Sequence, residues 1–320
     1  MSILAEPRQL PEWEPWRVAS LPASATRLFV DEADSVCATS ADASLWCVAG
    51  NGRGQLRFPP SEGYSRTASQ HPELRNVKQV EFGGRCVLGT EGLRCWSDDD
   101  HKVTPVTSLP APAADLVGGV DFACVRLQDG SVWCRGSHLR SQIGYVPGPA
   151  DPPGPNPWVV TTFVRLPELA GVKQLASSGR HTCALDREGR VWCWGENERG
   201  QIGKGDLSRC QWESGKGFVC SPEEGRRPTL VKGLPPIDSI ALGSTTSCGV
   251  TREGYVWCWG SLPEPRPKPV NIPTPEPVAS VIEGGAPLCL LYRSGRVGCW
   301  RYGDLRRGAP EDVKLDCTTR

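Results

Sequence analysis

Gly179-Arg-His-Thr-Cys183-Ala-Leu-Asp-Arg-Glu-Gly189-Arg-Val-Trp-Cys193-Trp-Gly195, continued by Glu196-Asn-Glu-Arg-Gly200-Gln-Ile-Gly203, is the stretch that decides the fold. Apolar residues alternate through Cys183, Leu185, Val191 and Cys193, with polar residues and a glycine between the two runs. That is the pattern of two strands joined by a tight turn. With Arg187-Glu188-Gly189 as a three-residue loop, Asp186 faces Arg190. Gly189 then falls at the left-handed position, where a side chain clashes. Counting back from the closing pair sets Cys183 opposite Cys193 at a non-hydrogen-bonded site. Their Cα atoms are then about 4.5 Å apart, within disulfide reach.

Five further copies repeat this grammar: Val36-Cys37 to Trp46-Cys47, Cys86 to Cys95-Trp96, Cys124 to Trp133-Cys134, Cys248 to Cys258-Trp259, and Cys289 to Cys299-Trp300. Five of the six copies space their cysteines ten apart; Cys86 and Cys95 are nine apart, and a loop shortened to Thr90-Glu91 keeps them opposed. Glycine holds the third loop position at Gly130, Gly189, Gly254 and Gly295, whereas Ala43 departs from it. An apolar strand ending in small residues precedes the hairpin, as in Val172-Lys-Gln-Leu-Ala-Ser-Ser-Gly179. An extended segment such as Pro15–Leu21 or Thr162–Pro167 comes before that strand. Four strands per unit, repeated every ~40–65 residues, predict an all-β chain folded as a single β-propeller. Six hairpins argue for six blades of four strands. Seven is the alternative, if the chain ends supply another, although 310–315 more simply completes the sixth. Residues 1–15 fit no repeat and are expected to form an N-terminal tail, with the propeller over 16–320.

The motifs Gly-Arg-His-Thr-Cys-Ala-Leu, Gly-x-Val-x-Cys-Trp-Gly and Asn197-x-x-Gly200-Gln-Ile-Gly203 resemble the regulator of chromosome condensation repeat. The cysteine-paired form is similar to the variant of secreted bacterial proteins. The resemblance covers about residues 16–320. It is specific in the fourth copy, good in the third and fifth, and thin elsewhere; Asn51-Gly-Arg-Gly-Gln-Leu56 is what survives of the last motif in the first copy. It implies a propeller scaffold with a general role in binding.

Basic and acidic residues balance at 36 each, so no chain-wide pull toward nucleic acid or anionic membrane follows. Gly 36 and Pro 30 against one Met suit short strands and turns. No run of 18 apolar residues spans a membrane. Of 15 cysteines, six hairpin pairs are joined by Cys210 and Cys220 at the same spacing, and Cys317 is left over. The expected disulfides are Cys37–Cys47, Cys86–Cys95, Cys124–Cys134, Cys183–Cys193, Cys210–Cys220, Cys248–Cys258 and Cys289–Cys299. Reduced core thiols and zinc are the rival readings. Zinc is disfavoured because its ligand pairs are usually Cys-x-x-Cys and the chain has four His. Seven disulfides require an oxidising compartment, hence an extracellular, periplasmic or cell-surface protein. No basic segment followed by an apolar core opens the chain, and the expectation is that Met1 stands where a signal peptide was removed. A monomer is expected unless Cys317 bridges two chains.

Eight of the twelve Trp flank hairpin cysteines, a repeat position that predicts packing between blades. Three connections break the period: Ser97–Lys102, an acidic run; Val146–Trp158, rich in proline; and Lys204–Arg227, carrying Cys210–Cys220. A stapled loop with an odd Trp and Phe is pre-organised for contact. The candidate binding residues are therefore Trp212, Glu213, Lys216 and Phe218, with Trp158 beside the proline-rich segment. No catalytic constellation, cofactor fingerprint or metal set is visible, and His181 is read as a structural hydrogen-bonding group. The function expected is a disulfide-stabilised extracytoplasmic propeller binding a protein or other macromolecule through its inter-blade loops. A protein inhibitor resembling the propeller-type β-lactamase inhibitors is a special case. The alternatives are a guanine-nucleotide exchange factor for a small GTPase, as the family resemblance implies, and an enzyme using channel-facing carboxylates.

Overall fold

Each repeat folds into one antiparallel sheet whose four strands follow one another in the chain. The computed structural model describes residues 25–30, 36–49, 65–81, 83, 85–96, 102–145, 158–207, 209–213, 217–221, 226–262, 264–283, 288–300 and 311–312. The tail at 1–15, residues 97–101 and 146–157, Lys216 and Cys317 lie outside these. So do the side chains of residues 209–213 and 217–221.

Blade 1 is β1 (Ala25–Val30), β2 (Val36–Ser40), β3 (Ser44–Ala49) and β4 (Ser65–Arg75). Blade 2 is β5 (Val77–Glu81), β6 (Cys86–Gly89), β7 (Gly92–Cys95) and β8 (Thr104–Pro105). Blade 3 is β9 (Ala113–Gly119), β10 (Phe122–Leu127), β11 (Val132–Ser137) and β12 (Val159–Arg165). Blade 4 is β13 (Val172–Ser178), β14 (His181–Asp186), β15 (Val191–Gly195) and, after an inserted two-stranded hairpin of β16 (Arg209–Glu213) and β17 (Gly217–Ser221), β18 (Thr229–Leu230). Blade 5 is β19 (Ile237–Leu242), β20 (Thr246–Thr251), β21 (Val256–Leu262) and β22 (Glu264–Ile272). Blade 6 is β23 (Val278–Glu283), β24 (Leu288–Tyr292), β25 (Val297–Trp300) and β26 (Glu311–Asp312). Among the described residues the fold is all-β, a propeller of six four-stranded blades.

The hairpin of blade 4 closes as its residues dictate. Leu185 pairs with Val191, the Asp186 amide donates to the Arg190 carbonyl at 3.0 Å, and Gly189 takes φ +79°. A Cβ on Gly189 would also sit 3.0 Å from the Ile237 main chain of the next blade, so two constraints select glycine there. Blade 1 puts Ala43 into the same conformation, φ +63°. Blade 2 makes the shorter turn, Gly89 facing Gly92 across Thr90-Glu91.

The cysteines meet as the register requires. Cys37–Cys47, Cys86–Cys95, Cys124–Cys134, Cys183–Cys193, Cys248–Cys258 and Cys289–Cys299 are disulfides with Cα–Cα distances of 4.0–4.1 Å. Cys210 faces Cys220 in the β16–β17 ladder.

First strands of successive blades neighbour one another from β5 through β9, β13 and β19 to β23, so they are innermost. The apolar faces between blades make the core. Phe122, Ile143, Leu166, Leu175 and Trp194 join blades 3 and 4, and Leu185, Ile202, Ile240 and Trp259 join blades 4 and 5. This is face-to-face packing of twisted sheets.

One boundary differs from the sequence reading. The extended segment placed at the head of each unit pairs instead with the hairpin behind it: 159–165 is the fourth strand of blade 3, and the Leu166 amide donates to Val132 O at 2.9 Å. A hairpin's open edge needs ladder partners, and the chain that follows supplies them first. Blade 6 obeys the same rule, with Glu311 facing Cys299 and Asp312 facing Gly298.

Candidate interaction face

Strand order divides the connections between the two ends of the propeller. Second-to-third hairpin turns and blade-to-blade links share one end. This end is tight: Asn76 alone separates β4 from β5, and 166–171, 231–236 and 273–277 make other links. First-to-second and third-to-fourth connections share the other end. There β3–β4, β11–β12, β15–β18 and β25–β26 are joined by 50–64, 138–158, 196–228 and 301–310, while in blade 5 residue 263 alone joins β21 to β22. The three period-breaking connections all leave from this second end.

The roots of these connections are built, not loose. Gly200-Gln201-Ile202-Gly203 turns back so that the Gln201 carbonyl accepts the Trp259 indole N–H at 2.8 Å. In blade 3 Ser141-Gln142-Ile143-Gly144 does the same for Trp194, at 3.0 Å. Both indoles are fully buried. Gly144 and Gly203 are required, since a Cβ would come within 2.7 Å of Trp194 and 3.0 Å of Trp259. Ser141 replaces Gly200 and is held at φ +64°. Trp residues on the near side of the cysteine have a second role. Trp46 donates to Ser44 Oγ, Trp133 to Ser131 Oγ and Trp192 to Asp186 Oδ2, at 2.9, 3.2 and 3.2 Å. The repeat pattern gave all eight Trp a packing role between blades. In these three the indole N–H also pins the turn of its own hairpin, while Trp133 and Trp192 keep the predicted packing against the clusters between blades.

His181 is fully buried, and its Nε2 lies 2.9 Å from Ser247 Oγ, which donates to Gln201 O at 2.9 Å. Because the hydroxyl proton is committed to Gln201, Nε2 carries its own hydrogen and donates to Ser247. Burial lowers the imidazole pKa from 6.5 to about 3, which makes it a neutral brace between blades 4 and 5 rather than a base.

Charges tie neighbouring roots together. Arg140 Nη1 lies 2.5 Å from Glu196 Oε1 and 3.3 Å from Glu198 Oε1, linking the connections of blades 3 and 4. Arg135 stands where blades 4 and 5 have Trp194 and Trp259. Burial, then the neighbouring Arg85, lowers its pKa to about 10. The long insertion is anchored on both sides. Asn197 Nδ2 donates to Asp206 O at 2.7 Å and the Gly205 amide to Pro267 O at 2.7 Å; downstream, Arg227 pairs with Glu168 at 2.9 Å. Leu207, 40% exposed, stands at the base of the inserted hairpin.

Of the candidate contact residues, Trp212 is directly opposite Phe218 in the β16–β17 ladder, and Glu213 opposite Gly217. Residues so paired share a face of the hairpin. Trp158 lies in the root of the blade 3 connection, half-buried, its ring 6.0 Å from that of His138 and its carbonyl accepting the His138 amide. Arg140, Glu196 and Leu207 were missed by the sequence reading. Their chemistry is ordinary, and only blade packing brings them to one end.

Near the axis the inner strands are held by amides and close backbone contact. Gln79 donates to Asp115 Oδ1 and accepts the Leu116 amide, while Gln174 bonds both Ile240 N and Ile240 O. The Val120 amide donates to Gly179 O at 2.8 Å, and a Cβ on Gly119 would lie 2.3 Å from that oxygen. Among the described residues no cluster of three or more His, Cys, Asp or Glu is placed to hold a metal ion.

Comparison with known proteins agrees with this architecture. Models of the regulator of chromosome condensation (RCC1) repeat match residues 172–201 and 188–250. Residues 172–250 carry RCC1 repeats. Human regulator of chromosome condensation is 32% identical over 80 residues, 25% of this chain and 16% of that protein. The Arabidopsis thaliana RCC1 domain-containing protein RUG3, mitochondrial, is 28% identical over 184 residues, 52% of this chain and 35% of that one. The match thus spans about a third or less of these relatives' length. Human WBSCR16 superposes with a TM-score of 0.71 at 20% identity, covering 93% of this chain and 84% of that one. Prp20p of Saccharomyces cerevisiae, described with its binding to Gsp1p and histones, gives 0.67 at 18% identity, covering 89% and 76%. At these identities the likeness is one of fold. The RCC1-repeat match includes the Gln201-Ile202-Gly203 turn, and disulfides such as Cys183–Cys193 and Cys248–Cys258 set the cysteine-paired form apart chemically.

Proposed function

We propose that this RCC1-repeat propeller works outside the reducing cytosol and binds a protein partner through the end bearing its third-to-fourth connections. The supporting observation is the asymmetry of the two ends. One has only short turns and links, and the other carries the long insertions on braced roots. The β16–β17 hairpin is the principal contact, through Trp212, Glu213, Lys216 and Phe218, with Trp158 beside it. Anchoring by Asn197, Gly205 and Arg227 lowers the ordering cost that a floppy loop would incur on association. Aromatic pairs of this kind dominate binding energy at interfaces.

The experiment is partner capture by the wild-type chain against Trp212→Ala and Phe218→Ala, with urea unfolding of all three. Lost capture at unchanged stability supports the reading; unfolding of both variants makes the hairpin scaffold and overturns it. The compartment is tested separately, by alkylating the chain unfolded without reductant. One labelled cysteine of the 15 supports an oxidising compartment, and ten or more refute it. The matches to regulators of chromosome condensation favour a second reading, accelerated nucleotide release from a small GTPase. That reading requires the release to vanish when 207–227 is deleted.

A further inference from the structure

Each hairpin disulfide marks one face of its blade, and in blades 1 to 5 the following blade covers that face. The quartets Cys86, Leu88, Leu93 and Cys95 of blade 2, Cys183, Leu185, Val191 and Cys193 of blade 4, and Cys248, Val250, Val256 and Cys258 of blade 5 are buried in clusters shared with the next blade. The cysteines of blades 1 and 3 are buried in the same way. Blade 6 repeats the quartet as Cys289, Leu291, Val297 and Cys299, paired in the same register. Its other face, Leu290 and Tyr292, is buried against blade 5. The quartet itself is half-buried at all four positions. On the blade 1 side of that seam Ala25, which opens β1, is exposed, whereas Val77, Val172, Ile237 and Val278 open their strands buried.

Elsewhere such a face is filled by the link that runs from a fourth strand into the next blade. Val106, Leu109 and Ala111 pack on the cluster between blades 2 and 3, Leu166 and Leu169 belong to the one between blades 3 and 4, and Val231 to the one between blades 4 and 5. Blade 6 takes its fourth strand from residues 311–312, which lead into no first strand, because β1 stands at the other end of the chain. A matching link precedes β1. Val18-Ala-Ser-Leu21-Pro-Ala23-Ser-Ala25-Thr-Arg-Leu28 aligns without a gap on Val106-Thr-Ser-Leu109-Pro-Ala111-Pro-Ala113-Ala-Asp-Leu116 and is identical to it at residues 18, 20–23, 25 and 28. The strands that the two links enter agree as well, since β1 and β9 share one bulge, at Thr26 and at Ala114.

We propose that residues 18–23 of this chain dock on the disulfide face of blade 6, with Val18, Leu21 and Ala23 in the places that Val106, Leu109 and Ala111 hold over blade 2. Connectivity selects this occupant, because Ser24 alone separates Ala23 from the start of β1 on the far side of the seam. Docking takes apolar surface out of water on the segment and on the blade together. It also denies solvent thiols access to Cys289–Cys299, and access sets how fast a disulfide is attacked. The contact joins the two ends of the ring and does not involve the β16–β17 hairpin.

The test is native-state reduction of the full chain by dithiothreitol, with alkylation and peptide mass analysis of each cysteine pair. A thiolate of the reagent attacks one sulfur of a disulfide and the other sulfur leaves as a thiolate. The second thiol of the reagent then closes its own disulfide, so each staple opened consumes one dithiothreitol. The wild type is expected to label Cys289 and Cys299 no faster than Cys86 and Cys95. Leu21→Asp should label the blade 6 pair about tenfold faster and leave Cys86 and Cys95 unchanged, while Leu10→Asp should match the wild type. A wild type that gives up the blade 6 pair first, or a Leu21→Asp variant without effect, overturns the proposal. So does the effect appearing with Leu315→Asp instead, which makes the C-terminal residues the cover. If Leu21→Asp unfolds the chain, every pair is labelled at once and trypsin decides on the wild type. Cleavage after Arg8 with protection after Arg17 is expected, and equal cutting at both overturns the proposal.

Discussion

His181 is buried neutral in a contact between two blades, and this makes the fold pH-sensitive in a window that carboxylates do not occupy. Its pKa falls from 6.5 in the unfolded chain to about 3 in the fold, with burial as the cause. Above pH 6.5 both states are neutral and the contribution to stability is complete. As the pH drops below 6.5 the unfolded chain takes up a proton that the folded chain refuses, so stability declines until the folded group titrates near pH 3. At 1.36 kcal/mol per pH unit, the loss between pH 8 and pH 5 is about 2 kcal/mol. Asp42, whose pKa is lowered to about 2, and Asp129 and Asp186, both also lowered, cost stability as the pH falls below their ordinary 3.8. The interval from 5 to 6.5 is thus left to imidazoles. The assay is urea unfolding at pH 8, 6.5 and 5 for the wild type and His181→Gln, which keeps a donor for Ser247. The wild type should lose about 2 kcal/mol more than the variant over this range. Equal losses in the two proteins would mean that His181 is solvated or protonated in the fold, and would refute the brace between blades 4 and 5.

Three further outcomes follow from local geometry. Ala43 adopts φ +63°, where blades 3 to 6 have glycine, so Ala43→Gly should stabilise by about 1 kcal/mol in urea unfolding; a destabilised variant would refute the strain. Trp194→Phe removes the donor to Gln142 O and leaves that carbonyl unmet and a small cavity behind, a cost of about 2–3 kcal/mol. A loss below about 0.5 kcal/mol would mean the clamp is dispensable. Replacing Cys248 and Cys258 together by Ala should cost about 2–3 kcal/mol, read as a lower unfolding midpoint that reductant no longer shifts at that blade.

Much of this was written locally. Apolar alternation, a three-residue loop and glycine at its left-handed position determined the hairpin, its register and hence the cysteine pairing, because each depends on residues within about a dozen positions of one another. The repeat of that unit predicted the propeller and favoured six blades over seven. The sequence by itself misplaced the fourth strand, since an extended segment between two hairpins carries no sign of which open edge it will satisfy. It gave every flanking Trp a packing role between blades and did not show the hydrogen bonds, by which Trp194 and Trp259 clamp the preceding blade's connection and Trp46, Trp133 and Trp192 pin their own turns. Two facts that bear on function were decided by tertiary structure alone. Strand order sends the long insertions to one end, and the packing of the blades leaves the disulfide face of blade 6 half-buried where those of blades 2, 4 and 5 are buried. Both depend on partners far away in the chain, and local spacing does not encode which of those partners a strand will meet.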